Sequence, residues 1–189
     1  MGLFDRLMGR ELPERRDARR IYFRLLEQSR RPEFFGPGRF PDDYDGRIDL
    51  ITLHFAAMME RLNREGHDGE ILRQALFDEM KDDFEIALRE EAIGDTGVKK
   101  RIKPMIGHFY DRLKVYTDAF DSDTPKTALE QAFDDRTGSE EPGAFEARLA
   151  DYTLALRDGL AGTSKADIIK RRFYFPDFES PTLSAPVAP

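Results

Sequence analysis

RIDLITLHFAAMMERL, residues 47–62, decides how this chain folds. Ile48, Ile51, Phe55, Met58 and Leu62 recur at three- and four-residue spacing, which on a helix makes one continuous stripe. Leu50, Leu53 and Ala57 put further apolar groups off that stripe. A helix apolar on most sides is stable only when neighbours cover most sides. The segment therefore reads as the central helix of an all-α domain. Asp43 or Asp45 is placed to cap its start, and Gly66 in REGHDG to stop it.

The flanking segments supply the cover. Upstream, Pro13 suits the first turn of a helix that runs to about Gln28, with Ile21, Tyr22, Leu25 and Leu26 at core spacing. RRPEFFGPGRFPDDYDG (30–46) then has three prolines, three glycines and four aromatics, so it cannot continue the helix. It is ordered if those rings pack down. Downstream, a long helix over roughly 69–92 carries Leu72, Leu76, Met80, Phe84 and Leu88 in an i, i+4 row. Asp78, Asp82, Glu85 and Arg89 on its other side read as a solvated face. GDTG breaks it, Asp95 or Thr96 caps the next helix, and Val98, Ile102, Ile106, Phe109, Leu113 and Tyr116 form the next stripe. Pro104 inside that stripe is expected to kink the helix or delay its start. Thr124–Pro125 opens a shorter helix. AFEARLADYTLALRDGL follows with Phe145, Leu149, Tyr152 and Leu156 on one side, and GTSKADIIKRRFYFPDF adds a short helix and an aromatic anchor.

No period-two alternation occurs. The expected fold is all-α, a single compact domain of six or seven helices over residues 13–178. Residues 1–12 form a flexible amphipathic arm, with Leu3, Phe4, Leu7 and Met8 opposite Asp5, Arg6 and Arg10. The Pro-rich stretch 179–189 is expected to be a disordered tail.

Composition narrows the function. The 189 residues are 40% apolar and 35% charged, and fifteen Phe with six Tyr supply core material. No cysteine is present, which excludes disulfides, thiolate zinc sites and Cys nucleophiles and fits a reducing compartment. No run approaches the roughly 18 apolar residues of a membrane span, and the start has no signal-peptide core. The expected location is cytoplasmic, with peripheral contact on the cytoplasmic face of the inner membrane left open. Residues 1–40 carry a balance of +4 within a total of −7, so the body is acidic. An acidic body disfavours direct nucleic-acid binding.

The search for chemistry finds little. His54 inside an apolar helix reads as a core histidine, and His67 lies in a polar turn. His108 and Asp111 stand at i, i+3, within touching distance. A pair is not a metal site, since zinc takes three or four ligands. No nucleophile elbow, phosphate-binding loop or dinucleotide fingerprint occurs. No catalytic residue, cofactor site, cofactor or metal ligand is assigned. What remains is a surface: Lys99, Lys100, Arg101 and Lys103 cluster just after a helix break, opposite an acidic helix. Consecutive cations cannot all meet the same carboxylates. The cluster is either a solvated first turn or a face that steers a partner.

DGRIDLITLH (45–54), LFDEM (76–80), LREEAIGD (88–95), VKKRIK (98–103) and HFYDRLKVY (108–116), in this order and spacing, resemble the ubiquinol–cytochrome c chaperone family over about residues 20–120. The resemblance implies a non-enzymatic assembly factor that binds newly made cytochrome b and promotes assembly of ubiquinol–cytochrome c reductase. It also implies the ribosome or a small helical protein as further partners. On this reading Asp45, Arg47 and Asp49 fix the start of the central helix, and Arg47 pairs with a carboxylate. Arg89, Glu90 and Asp95 shape the helix break. Lys99, Lys100, Arg101 and Lys103, with Tyr110 and Arg112, make the candidate partner face. Two alternatives stay open: a general helical adaptor for another membrane client, and a small haem-binding or enzymatic bundle using His54 or His108.

Overall fold

Helix α1, Pro13–Ser29, opens the described chain with proline at its first position and buries Ala18, Ile21, Tyr22 and Leu25 completely. The computed structural model describes residues 12–90, 95–137 and 143–180. A short 3-10 turn, Pro32–Phe34, leads to α2, Tyr44–Asn63. Then come α3, Gly66–Glu90, α4, Asp95–Phe120, and α5, Pro125–Thr137. Helix α6, Ala144–Ala161, and the short α7, Lys165–Ile169, complete the set. Among the described residues the fold is all-α, with seven helices and no strand beyond one isolated bridge, Phe35 to Phe40.

The central helix is α2. Leu50, Leu53, Ala56, Met58 and Leu62 are all fully buried, and α1, α3, α4 and α6 pack around it. Each such Leu or Met contributes about 1.5–3 kcal/mol when removed from water. Asp43 is its cap: the Asp43 carboxylate accepts from the Gly46 amide at 2.9 Å. Gly46 also lets the preceding loop close, since a β-carbon there would stand 2.0 Å from the Pro41 carbonyl oxygen. Gly66 does not merely end α2; it starts α3 at a φ of +59°, a left-handed conformation that glycine adopts without strain.

The loop after α1 is ordered by its rings. Phe34 and Phe40 are fully buried. Phe34 meets Tyr152 and Phe178 edge-on at 5.4 and 5.1 Å between centroids. The aromatic anchor packs as well: Phe173 and Phe178 are buried, and the Arg24 guanidinium lies 5.0 Å over the Phe173 ring and donates to the Phe173 carbonyl at 2.7 Å. Glu179 pairs with Arg148 at 2.6 Å. The arm expected at residues 1–12 lies, save Leu12, outside the described residues, as does the tail from 181 onward.

Two expectations need correction. Pro104 sits well inside α4, which begins at Asp95, so it does not set the helix start. The acidic side of α3 is not simply solvated. Helices α1 and α3 run side by side in the same direction, and Arg15 meets Asp82 at 2.5 Å. Arg19 reaches the buried Glu79 at 2.9 Å, and the Tyr22 hydroxyl donates to Asp83 at 2.8 Å. Arg15 and Arg19 of α1 thus serve the fold, because the parallel packing brings them level with the α3 carboxylates.

Candidate functional site

Three polar or half-open features stand out against this core. The first is enclosed. Gln28 Nε2 donates to the Tyr152 hydroxyl at 3.0 Å, that hydroxyl donates to His54 Nε2 at 2.8 Å, and His54 Nδ1 donates to the Leu50 carbonyl at 2.7 Å. This chain ties α1, α6 and α2. Burial lowers the His54 pKa to about 4, against the smaller opposing pull of the Leu50 carbonyl, so the ring is neutral at neutral pH. Burial likewise raises the Tyr152 and Tyr116 hydroxyls well above their usual range. His54 is a core histidine with both nitrogens satisfied.

The second feature is a charge hub on α2. Asp49 is 0% exposed. His108 Nε2 stands 2.8 Å from its Oδ1, Arg136 Nε 2.6 Å from its Oδ2, and Arg112 Nε 3.2 Å from its Oδ1. The Arg112 contact is one of charge rather than a well-aimed hydrogen bond, since that Nε has no hydrogen-bond partner; its NH2 group donates to the Tyr116 hydroxyl at 3.1 Å and the Ala132 carbonyl at 2.9 Å. His108 therefore faces Asp49, not its helical neighbour Asp111. The hub binds α4 and α5 to α2. Among the described residues, no group of three or more His, Cys, Asp or Glu gathers as a metal site.

The third feature is open to solvent. Phe55 and Met59 of α2, Ile71, Arg73, Gln74 and Phe77 of α3, and Tyr110 and Leu113 of α4 line a shallow groove of about 830 Å³. Ile71 is 43% and Tyr110 50% exposed, and both line this one opening. The Tyr110 ring lies over Phe77, centroids 5.2 Å apart. Glu70 and Arg73 provide a charged rim, and the Arg73 Nε is buried without a hydrogen-bond partner among the described residues. A smaller cavity of about 330 Å³ opens where Arg30, Tyr44 and Arg47 face Glu90 and Met105.

The eight residues singled out from sequence do not form one face. Arg47 is exposed, pairs with Asp42 at 2.8 Å and borders the smaller cavity. Arg89 is exposed on the last turn of α3, 3.5 Å from Glu85. Lys99, Lys100, Arg101 and Lys103 are exposed on the first turns of α4. Tyr110 lies on the open groove. Arg112, two residues on, is only 11% exposed and is committed to the hub. Sequence reading missed Ile71, Arg73 and Phe77. The available signal was that Ile71 and Phe77 are large apolar residues off the buried row of α3.

With this geometry in view, comparison with known proteins is specific. The model of the ubiquinol–cytochrome C chaperone family matches residues 38–175, well over half the chain. The crystal structure of the Cbp3 homolog from Brucella abortus is similar at 27% sequence identity and a TM-score of 0.75, over 95% of this chain and 98% of that one. No curated protein sequence matches.

Proposed function

Because the chain belongs to the ubiquinol–cytochrome C chaperone family, we propose that it binds newly made cytochrome b and promotes assembly of ubiquinol–cytochrome c reductase. Family membership implies a non-enzymatic role in the assembly of that complex. The observation that supports a holding mechanism is the open groove between α2, α3 and α4, where Ile71, Phe77 and Tyr110 present apolar surface to solvent. An apolar groove with a charged rim accepts the apolar face of a helix or an extended segment, and a few buried anchors carry most of the energy. Tyr110 and Phe77 are those anchors. Lys99, Lys100, Arg101 and Lys103 act at longer range: an exposed positive strip on an acidic body orients an acidic region of the client during encounter. Among the described residues no helix is long and apolar enough to cross a membrane.

Deleting the gene and recording the spectrum of membrane cytochromes tests this. Selective loss of the ubiquinol–cytochrome c reductase cytochromes is expected. A broad loss of membrane proteins would instead identify a general adaptor, and an unchanged spectrum would refute the role. Co-purification then locates the surface: Tyr110→Glu should lose cytochrome b while keeping the helical content.

A further inference from the structure

The packing leaves the outer side of α1 bare. Arg16, Arg20, Phe23 and Glu27 recur at three- and four-residue spacing, so they form one ridge, and all four are exposed. Phe23 is 52% exposed. Arg15 and Arg19 turn the other way, to the α3 carboxylates. Arg20 has no such commitment: among the described residues it makes no ion pair or hydrogen bond. The segment after α7 runs beside this ridge. Ile169 shares a cleft with Asp17, and the Phe173 carbonyl accepts from Arg24 at 2.7 Å, so Lys170, Arg171 and Arg172 pass alongside the turn of α1 that carries Arg20. All three are exposed, and Tyr174 beyond them is 60% exposed. Burial, and after it the charge of Arg171, lower the pKa of Arg24.

Arg171 is the sharpest of these observations. The amides of Arg171 and Arg172 donate back to the Ile168 and Asp167 carbonyls at 2.8 and 2.7 Å, the paired bonds that close a helix around a left-handed residue. Glycine is the usual residue there. Here it is Arg171, at a φ of 60°, and among the described residues no other non-glycine has a positive φ. Among those residues its side chain makes no ion pair that would offset the strain. The fold gains nothing from arginine at that position, whereas a partner outside the fold does. The charge balance points the same way. Six cations, Arg16, Arg20, Arg24, Lys170, Arg171 and Arg172, stand against the carboxylates of Asp17, Glu27 and Asp167, on a chain whose total is −7. Pairing between the two sets is loose, with Arg16 to Asp17 and Arg172 to Asp167 at 3.9 Å each.

The ridge of a helix is convex. A single strand of nucleic acid is held in a groove that tracks its backbone, and an acidic body repels a long polyanion beyond the patch. A bilayer needs no groove: cations attract its anionic headgroups within a Debye length, and aromatic rings set among them enter the boundary between headgroups and acyl chains. We propose that the outer ridge of α1 and the segment Lys170–Tyr174 form a docking face for a membrane surface of anionic phospholipid, with Arg20 and Arg171 on the headgroups and Phe23 and Tyr174 entering between them. None of these residues lines the groove read above as the client surface, so the two proposals stand or fall separately.

Flotation of the full-length protein with vesicles tests this. Binding should occur with vesicles of phosphatidylglycerol and phosphatidylcholine, weaken as salt rises, and be absent with phosphatidylcholine alone. Arg20→Gln with Arg171→Gln should lower partitioning about 25-fold, about fivefold for each charge removed, with an unchanged circular dichroism spectrum. Because the chain has no cysteine, Phe23→Cys and Lys100→Cys can each carry a single environment-sensitive dye. Emission of the first should shift to the blue on the phosphatidylglycerol vesicles, and that of the second should not. No binding, equal binding to both kinds of vesicle, binding that survives loss of both arginines, or a blue shift at Lys100→Cys would each overturn the proposal. So would retention of polyuridylate tighter than that of the vesicles and abolished by the same two changes, which would make the face an RNA site. Unchanged cytochrome b capture by Tyr110→Glu would count against the client groove and leave this face untouched.

Discussion

Replacing Asp49 with asparagine keeps the shape of the hub and removes its only negative charge. His108, Arg112 and Arg136 are then left facing a neutral amide. Removing one partner of a buried ion pair costs about 3–5 kcal/mol, because the remaining charge stays desolvated. His108 and Arg136 are each about a quarter exposed, so water recovers part of the loss for them; Arg112, at 11%, recovers least. The expected cost is therefore about 3 kcal/mol, the lower end of that range. For a chain of this size each kcal/mol is worth ~2–4 °C, so Tm should fall by about 6–12 °C. Urea titration followed by far-ultraviolet circular dichroism measures it, with Asp42→Asn as the control. Asp42 makes an exposed pair with Arg47 and should cost under about 1 kcal/mol. Adding Arg136→Met to Asp49→Asn should cost less than the sum of the two single changes, since both break the same contact. If Asp49→Asn unfolds within experimental error of Asp42→Asn, the carboxylate is not holding His108 and the two arginines and the hub is wrongly understood.

Three further outcomes follow from other parts of the molecule. His54 should titrate near pH 4 by nuclear magnetic resonance; because its folded pKa lies below the unfolded value of 6.5, its contribution is intact above pH 6.5 and falls by about 1.4 kcal/mol per pH unit down to about 4. A midpoint near 6.5 would show the ring is not sealed from water. Gly69→Ala puts a β-carbon 2.0 Å from the Leu62 carbonyl oxygen and should cost about 1–3 kcal/mol, whereas Gly107→Ala, with open space around it in the middle of α4, should gain about 0.5–1 kcal/mol; equal effects in thermal denaturation would contradict the packing at the α2–α3 turn. Lys99→Glu with Lys100→Glu should slow client association at low salt and leave Tm within about 1 °C, as expected for exposed charge; salt-independent association rates would remove the positive strip from the encounter.

How much could be read from the residues alone depends on range. Helical period, Pro13, Pro125 and the cap at Asp43 are local signals, and the helices they mark occur where the spacing puts them. The apolar residues off the main stripe of α2 correctly marked a helix enclosed by others, because burial on all sides leaves its trace within one segment. Non-local pairing left no such trace. Nothing near Asp49 in sequence indicates that Arg136, 87 residues away, will reach it. Arg112 looked like a surface cation beside Tyr110, yet two positions on a helix turn a side chain by about 200°, enough to send one outward and the other into the hub. The groove was hard to read for the same reason: its walls come from three helices, so Ile71, Phe77 and Tyr110 each stood out singly and nothing in the sequence joined them.

That alternation on α4 has a mechanical corollary. His108 and Arg112 flank Tyr110 and both are anchored to the innermost helix through one carboxylate. The wall carrying Tyr110 is thus tied to the core on both sides of that ring, and because one carboxylate holds both ties, a single change at Asp49 would loosen the whole wall.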